Sequence, residues 1–260
     1  VAFGTQVQFS SDGNLSGDNL PMCYYTSETK IIMKYDITFT GRYAVACTIS
    51  GTSVSFGTAV LEYAWGTYGQ MSSTNITYDS TANKAVSVDG VNASPHGLYA
   101  AVISLSGATI TWGTPVVVNA NSATDTFKHA ASIAYSSAGN NLLIAYSDDS
   151  NSSYLYGVSG TLSGTSTTWG TPVAVRSVSV ASDQETDLIY DPDSQNFVVA
   201  YRTATPAGES NVVSIGDLPL VVGTKYYVTT SGGFSSSADT PSVNAGLAIS
   251  TTSLLLNGDS

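Results

Sequence analysis

The 260-residue sequence predicts an all-β fold, a small β-propeller of about four four-stranded blades followed by a small β-hairpin tail domain. Three observations predict this fold. A phrase made of an aromatic residue, Gly and Thr recurs roughly every 55 residues, a spacing typical of propeller blades. Short apolar segments alternate with turns rich in Asp, Ser, Asn and Gly. No segment shows the periodicity of an amphipathic helix.

The repeated phrase defines the limits of the repeat. It occurs at four places, Phe3–Val7, Phe56–Val60, Trp112–Val116 and Trp169–Val173. A glycine precedes the aromatic residue by five positions at Gly51, Gly107 and Gly164, and a tyrosine precedes it by thirteen at Tyr43, Tyr99 and Tyr156. This agreement predicts blades near 20–64, 73–119, 131–176 and 185–216, the last together with residues 1–9.

Each blade is predicted to begin with two strands joined by a polar turn. The first strand, represented by Ile76–Tyr78, ends in residues that favour turns. The second strand, represented by Leu142–Tyr146, is apolar without alternation. A continuous apolar run indicates burial on both faces. We therefore expect the second strands to lie between neighbouring sheets.

The third and fourth strands of a blade are predicted to form a tight hairpin. Ser106–Gly107 separates the third strand, Tyr99–Ile103, from the fourth, Trp112–Val118. Glycine at this point supplies the positive φ that short hairpin turns require. The glycine inside the fourth strand, Gly113, indicates a bulge or a close approach of two backbones.

The last unit, from about residue 185, lacks the aromatic-Gly-Thr strand, whereas the chain opens with one at residues 2–9. The simplest interpretation is a ring in which the N-terminal strand completes the last blade and removes the open sheet edges. An open stack of sheets that is closed by other chains is the alternative. Residues 217–260 depart from the repeat and are predicted to form a small β domain for packing or oligomerisation.

The charge of the chain excludes two classes of partner. Nineteen acidic and eight basic residues give a net charge of −11, and the isoelectric point is near 4.2. Nucleic acid and anionic membranes both attract a basic surface, so neither is an expected partner. No apolar run approaches the roughly 18 residues of a membrane span. Cys23 and Cys47 are expected to be buried thiols, although the sequence leaves their pairing open.

The sequence contains no motif for catalysis or for a metal centre. His96 and His129 lack metal-site spacing, and no nucleophile elbow or phosphate loop occurs. Asp79 and Asp191 follow a repeated tyrosine, where an Asx turn explains them. We therefore expect no enzyme activity, no catalytic residue, no metal and no cofactor. A polysaccharide-acting propeller hydrolase with paired carboxylates at its hub is the alternative.

One segment is dense in aromatic residues. Glu62–Tyr68 contains Trp65 and Tyr68, whose rings are suited to stacking on sugars or anchoring an interface. These two residues are the candidate ligand-binding residues. Variation of the repeat explains the same segment equally well.

The repeated phrase and the C-terminal segment carry a resemblance to a known group of proteins. Gly51–Thr58, with its copies at 109–116 and 165–173, resembles FGTPV-type repeats in virion appendage proteins of bacteriophages, particularly marine and cyanobacterial phages. Val222–Val228 and Ala245–Leu255 resemble the segment that often closes those proteins. Together the two resemblances span nearly the whole chain.

The resemblance implies a non-enzymatic structural protein of a virion, namely a tail fibre, a head fibre or a decoration protein on the virion surface. It implies a homo-oligomer, with a trimer favoured, that contacts other virion proteins and host surface glycan. Members of this group often carry more units, so this chain is expected to be a short or trimmed one. Few charges and many short hydroxyl side chains fit such a role, because they lose little entropy on contact. A secreted bacterial adhesin or surface-layer module is the alternative.

Overall fold

The computed structural model divides the chain into two compact units, Val1–Val213 and Ser214–Ser260. The structure describes residues 4–11, 15–16, 20–64, 71–91, 97–120, 131–148, 153–176, 186–203, 208–213, 225–228, 234–235, 243–250 and 253–255. Both units are built from β-strands, and the one helical segment in these ranges is the three-residue 3-10 turn Thr26–Glu28. The domain boundary expected near residue 216 lies outside the described residues.

The first unit contains four antiparallel sheets, which are the four blades. Blade 1 consists of β1 (Leu15–Ser16), β2 (Met22–Tyr25), β3 (Lys30–Ile37), β4 (Gly41–Ser50), β5 (Ser53–Phe56) and β6 (Val60–Ala64). Blade 2 consists of β7 (Met71–Asp79), β8 (Lys84–Val91), β9 (Gly97–Ser106), β10 (Thr109–Trp112) and β11 (Val116–Ala120). Blade 3 consists of β12 (Ser132–Ser136), β13 (Asn141–Asp148), β14 (Tyr154–Ser163), β15 (Ser166–Trp169) and β16 (Val173–Arg176). Blade 4 consists of β17 (Thr186–Asp191), β18 (Asn196–Arg202) and β19 (Gly208–Val213).

Blades 1 to 3 share one topology. Their first, second and third strands pair in order, and the fourth strand is split into two halves that both pair with the third. The Gly-Thr part of the repeated phrase lies between these halves. In blade 2 the Gly113 N–H donates a hydrogen bond to Val102 O at 2.8 Å, which keeps the phrase attached to the third strand. Blade 4 has three strands among the described residues.

The glycine before each fourth strand has the backbone conformation that the hairpin signal predicts. Gly51, Gly107 and Gly164 have φ values of 59°, 59° and 63°. Glycine enters this left-handed region without the steric penalty of a side chain. The Ser-Gly pairs therefore mark the hairpins of blades 1 to 3.

The hydrophobic cores lie between the blades. Val86 of β8 packs in a core with Ile144 of blade 3, and its neighbour Ala85 packs in a second core with Ile32 of blade 1. All four residues are 0% exposed. The second strands of blades 1 to 3 are thus buried on both faces, as the continuous apolar run Leu142–Tyr146 predicts. Removal of this apolar surface from water supplies most of the stabilisation.

The first strands of the four blades surround one cavity. Strands β2, β7, β12 and β17 all line an opening of about 550 Å³. Blades of antiparallel sheet arranged around a common centre define a β-propeller. The predicted β-propeller class is therefore confirmed, since the first unit is a small all-β propeller of four blades. The described strand pairings of blade 4 do not include residues 4–9, so the predicted completion of this blade by the N-terminal strand is not confirmed.

The N-terminal phrase contacts blade 1 in the same way that the fourth strand of one blade contacts the next blade. A Cβ atom added to Gly113 would collide with Thr165 O, in the hairpin turn of the following blade. A Cβ atom added to Gly4 would collide in the same way with Thr52 O, in the hairpin turn of blade 1. The N-terminal segment therefore approaches blade 1 about as closely as the fourth strand of blade 2 approaches blade 3.

A ring contact supports the same placement of the N-terminal segment. The centroid of the Phe9 ring lies 5.2 Å from that of Tyr35 on β3. Phe9 is the seventh residue of its phrase, and Val118 is the seventh residue of the phrase in blade 2. Tyr35 in blade 1 and Tyr146 in blade 3 have the same register position on their second strands. Val118 and Tyr146 share a core. Residues 4–9 therefore meet blade 1 in the register of a fourth strand.

The two cysteines are free thiols. Cys23 lies on β2 and Cys47 on β4, and β3 pairs with both strands from between them. Burial raises the pKa of both thiols. Both are therefore protonated and unreactive at neutral pH.

The second unit contains a four-stranded antiparallel sheet. Its strands are β20 (Lys225–Val228), β21 (Phe234–Ser235), β22 (Val243–Ser250) and β23 (Ser253–Leu255). They pair in the order β21-β20-β22-β23. The hairpin and the two later strands lie where the sequence predicts β segments in the tail.

Candidate functional site

The candidate ligand-binding residues Trp65 and Tyr68 lie outside the described residues, as do His96 and His129. Tyr63, the first aromatic residue of the segment Glu62–Tyr68, is 2% exposed and belongs to the core. The described residues instead form two other notable features. One is the cavity at the centre of the propeller, and the other is a cluster of buried charges between blades 1 and 2.

Four tyrosines occupy equivalent positions around the cavity. Tyr24, Tyr78, Tyr135 and Tyr190 each come from the first strand of a different blade and have the same register against the second strand. The last three are the tyrosines that the sequence places at the ends of first strands. Tyr24 is the most open of the four, because 55% of it is exposed.

Turn residues hold two of these tyrosines in place. Tyr78 Oη donates a hydrogen bond to Asn83 Oδ1 at 2.9 Å, and Tyr135 Oη donates one to Asn140 Oδ1 at 3.0 Å. Both asparagines end the hairpin turn after the first strand and have φ of 53°, a conformation that asparagine tolerates. Burial raises the pKa of Tyr135, so its hydroxyl stays a donor at neutral pH. The rings at the cavity wall are therefore positioned before any ligand arrives.

The rest of the cavity wall combines polar and apolar groups. Asn75 Nδ2 donates a hydrogen bond to Ser132 Oγ at 3.1 Å, which joins the walls of blades 2 and 3. Met22 and Ile189 are 59% and 67% exposed. Asp187 is the one charged side chain among the described lining residues. Amide, hydroxyl and aromatic groups without a cation favour an uncharged ligand over an anionic one.

Six polar side chains form a buried cluster between blades 1 and 2. They are Lys34 and Asp36 on β3, Arg42 on β4, Glu62 on β6, and Ser87 and Asp89 on β8. Lys34 Nζ lies 2.8 Å from both Asp89 Oδ1 and Glu62 Oε2. Arg42 Nε lies 2.6 Å from Asp36 Oδ1, and Arg42 Nη1 also contacts Asp89. The Lys34, Arg42, Glu62 and Asp89 side chains are at most 1% exposed.

The charge balance of this cluster depends on Glu62. Burial and the nearby Asp89 raise the pKa of Glu62 to about 8. Burial alone would also raise the pKa of Asp89, but Lys34 and Arg42 hold it well below its ordinary value. Glu62 is therefore protonated at neutral pH, which leaves two cations beside two carboxylates.

The cluster lies at positions where the interface between blades 2 and 3 has apolar contacts. Lys34 and Glu62 have the register positions of Val88 and Val118, which lie in the core between blades 2 and 3. Side chains this deeply buried offer no surface to a substrate. The cluster therefore holds two blades together and is not an open active site.

Sequence reasoning missed this cluster. It assigned no role to Asp36 or Asp89, which belong to no local motif. A signal was nevertheless present, because charged residues stand in blades 1 and 2 at repeat positions where other blades have apolar ones. Lys34, for example, aligns with Ala145 of blade 3.

We expect Glu62 to make the protein less stable as pH rises. Its pKa is about 8 in the folded protein and about 4.5 when unfolded, so only the folded state keeps the proton between these values. Stability should therefore fall from pH 5 to pH 8. Glu62→Gln should remove this slope and raise the free energy of unfolding at pH 8 by about 1.4 kcal/mol or more, the equivalent of one pKa unit. Thermal unfolding across this pH range measures both effects, with Glu28→Gln on the 3-10 turn as the control. Parallel curves for wild type and Glu62→Gln would contradict the prediction.

The two acids placed in turns by the sequence do form them. Asp79 Oδ1 accepts hydrogen bonds from Thr81 N at 2.9 Å and Ala82 N at 2.8 Å. Asp191 Oδ1 accepts one from Asp193 N at 3.1 Å. In the described part of the chain no group of three His, Cys, Asp or Glu side chains is arranged to hold a metal ion. No helix within those ranges has the length and hydropathy of a membrane span.

Comparisons with known proteins bear on the fold. No protein-family model and no curated protein matches the chain. AofleA from Arthrobotrys oligospora has a similar structure, with a TM-score of 0.51 and 10% identity over 83% of this chain and 55% of that chain. The catalytic domain of a GH62 α-L-arabinofuranosidase from Coprinopsis cinerea gives a TM-score of 0.28 at 11% identity, covering 81% of this chain and 92% of that one.

The similarity to AofleA supports the fold and nothing further, because so few residues are identical. This chain spans about 55% of the length of AofleA. By its strand topology and its central cavity, the chain is a β-propeller protein.

Proposed function

We propose that this protein is a non-enzymatic structural component of a phage virion, a tail fibre, head fibre or decoration protein, that contacts host surface glycan. The resemblance of the repeats and the C-terminal segment to virion appendage proteins supports the virion role. The propeller supports the binding role, because it displays loops and strand ends around a preformed cavity. The proposal requires no metal or cofactor, and it places the protein on the virion surface as a homo-oligomer, with a trimer favoured, beside other virion proteins.

The chemistry of the central cavity carries the binding part of the proposal. Its described wall presents tyrosine rings, amide and hydroxyl groups, and a single carboxylate, Asp187. Aromatic faces pack against the apolar faces of sugar rings, while amides and hydroxyls pair with sugar hydroxyls. A volume of about 550 Å³ suits a small saccharide. The absence of cations from the described wall favours neutral sugars over acidic ones.

The buried carboxylates favour binding over hydrolysis. A glycosidase needs two carboxyl groups that face the scissile bond of a bound sugar. The acids of the buried cluster are Asp36, Glu62 and Asp89. Lys34 and Arg42 pair with the Asp36 and Asp89 carboxylates inside the blade interface, and Glu62 is protonated there. Such groups are committed to the fold.

Particle composition tests the virion role. We expect the protein to copurify with phage particles through density-gradient centrifugation, at a fixed copy number measured by quantitative mass spectrometry. The bacterial adhesin alternative predicts release from cells that carry no phage. Recovery of the protein only in the particle-free fraction would overturn the virion role.

Binding to host cells tests the site. We expect Tyr24→Ala to weaken binding to glycan-bearing host cells by about fivefold or more, because an exposed ring at the cavity wall is lost. Phe39→Ala is the matched control, since Phe39 is an exposed aromatic residue that does not line the cavity. Fluorescence-detected binding to cells and to cells stripped of polysaccharide measures the effect. Equal binding by the two variants would contradict the assignment of the site.

A further inference from the structure

One face of blade 4 is apolar and uncovered. Ile189, Val198 and Val212 lie side by side across its three strands. Ile189 and Val212 are 67% and 66% exposed. The residues at the position of Val198 in the other blades are at most 3% exposed, and they are Ile32, Val86 and Leu143. Blade 4 thus lacks the cover that the other three blades have.

Blade 4 also has an open edge. Its third strand, β19, pairs with β18 and with no fourth strand among the described residues. In blades 1 to 3 a strand with the aromatic-Gly-Thr phrase occupies this edge. An unpaired edge presents backbone N–H and C=O groups that accept an added strand.

The N-terminal segment that contacts blade 1 has the sequence of the strand that blade 4 lacks. Residues 4–9 carry the phrase, and they lie on blade 1 as a fourth strand lies on the blade that follows it. Gly4 approaches Thr52, and Phe9 packs on Tyr35. Blade 1 therefore carries an additional segment of the fourth-strand type, residues 4–9, whose own first, second and third strands are not part of blade 1.

Among the described residues, no strand of blade 4 pairs with a strand of blade 1. Strand β2 packs beside β7, β7 beside β12, and β12 beside β17, whereas β2 and β17 both line a pocket to which Met22 and Asp187 contribute. The edge and the exposed face of blade 4 are therefore open, among the described residues, to a partner from another molecule.

We propose that copies of this chain join head to tail, with residues 4–9 of one copy serving as the fourth strand of blade 4 in the next copy. In this contact blade 1 of the first copy covers Ile189 and Val212 of the second. The contact is heterologous, so its repetition closes into a ring when the rotation between copies allows it. The proposal is independent of the virion role, since it uses only the sheet edge and the face of blade 4.

Molecular mass in solution tests this contact. Light scattering during size exclusion should give an integer multiple of 26.9 kDa for the wild type and a single 26.9 kDa species for Val212→Asp. The variant should keep its β-sheet circular dichroism, because Val212 is exposed within one chain. Val173→Asp on β16 is the matched control, since Val173 is 67% exposed and lies outside the contact. A monomeric wild type, or a Val212→Asp protein that keeps the wild-type mass, would overturn the proposal.

A cross-link separates contact between copies from closure within one chain. Val60 of the fourth strand pairs with Ala44, and the equivalent pair across the proposed contact is Val7 with Ser210. Directly opposed residues of this kind lie within disulfide range. Oxidised Val7→Cys/Ser210→Cys protein should run as dimers and larger species on a gel without reductant, and neither single variant should do so. A cross-link confined to single chains would show that the ring closes on itself and would overturn the proposal.

Discussion

Replacing Asp89 by asparagine is expected to lower the free energy of unfolding by about 3–5 kcal/mol, the usual cost of breaking a buried ion pair. Asparagine keeps the size of the side chain but removes the charge that faces Lys34 and Arg42. Both cations are buried, so water cannot replace the lost partner. Urea unfolding at pH 7 measures the change. Asp187→Asn at the exposed cavity wall is the control and should change stability by less than about 0.5 kcal/mol.

The same variant should alter the response to acid. The two cations hold the pKa of Asp89 well below its ordinary value, despite its burial. Its stabilising contribution is therefore complete above the unfolded pKa near 3.9 and is lost as pH falls through the lower folded value. The wild type should lose stability more steeply than Asp89→Asn below about pH 4. Equal slopes would show that another carboxylate dominates the acid response.

Replacing all five charged residues of the cluster together, here called the apolar graft, tests whether Asp89→Asn is unstable because the cations lose their partner or because the blade interface is damaged. The residues at equivalent positions of blades 2 and 3 supply the design, which is Lys34→Val, Asp36→Ser, Arg42→Leu, Glu62→Val and Asp89→Tyr. Replacing a buried ion network as a whole by packed apolar groups is often neutral or stabilising by about 1–4 kcal/mol. The graft should therefore be more stable than Asp89→Asn. A graft less stable than the single variant would contradict this account.

Much of the propeller could be predicted from the sequence because its signals are local. The Ser-Gly pair specifies a hairpin through the φ of one residue, Gly107, and the apolar run Leu142–Tyr146 specifies a strand buried on both faces. The Ser-Gly pair recurs in blades 1 to 3, so the repeat gives the strand order within a blade. The fold class follows from the repetition.

The buried cluster and the cavity could not be predicted in the same way, because both depend on contacts between blades. Lys34 meets Asp89 only when blade 1 packs on blade 2 in one register, and neither residue lies in a local motif. The cavity forms from four strands that are far apart in the chain. Trp65 and Tyr68 were candidates because their segment is rich in aromatic residues. This richness is a local property and does not predict which residues contact them in the fold.

Adding one methyl group at Gly113 is expected to lower the free energy of unfolding by about 1–3 kcal/mol, as overpacking does. The new Cβ of Gly113→Ala would fall inside contact distance of Thr165 O, a backbone atom that cannot turn aside. Gly170 is the matched control at the equivalent position of blade 3. The nearest atom to its added Cβ is Ser159 O at 3.5 Å, an ordinary contact, so Gly170→Ala should be nearly neutral.

The same substitution at Gly4 tests how the N-terminal segment is held. Its added Cβ would collide with Thr52 O, in the hairpin turn of blade 1. If residues 4–9 bind blade 1 as a fourth strand does, Gly4→Ala should destabilise the protein by an amount similar to Gly113→Ala and should expose Phe9 to solvent. Thermal unfolding of the three variants under one condition makes the comparison. A neutral Gly4→Ala beside a destabilised Gly113→Ala would contradict the docking of the N-terminal segment, because the two glycines would then face different surroundings.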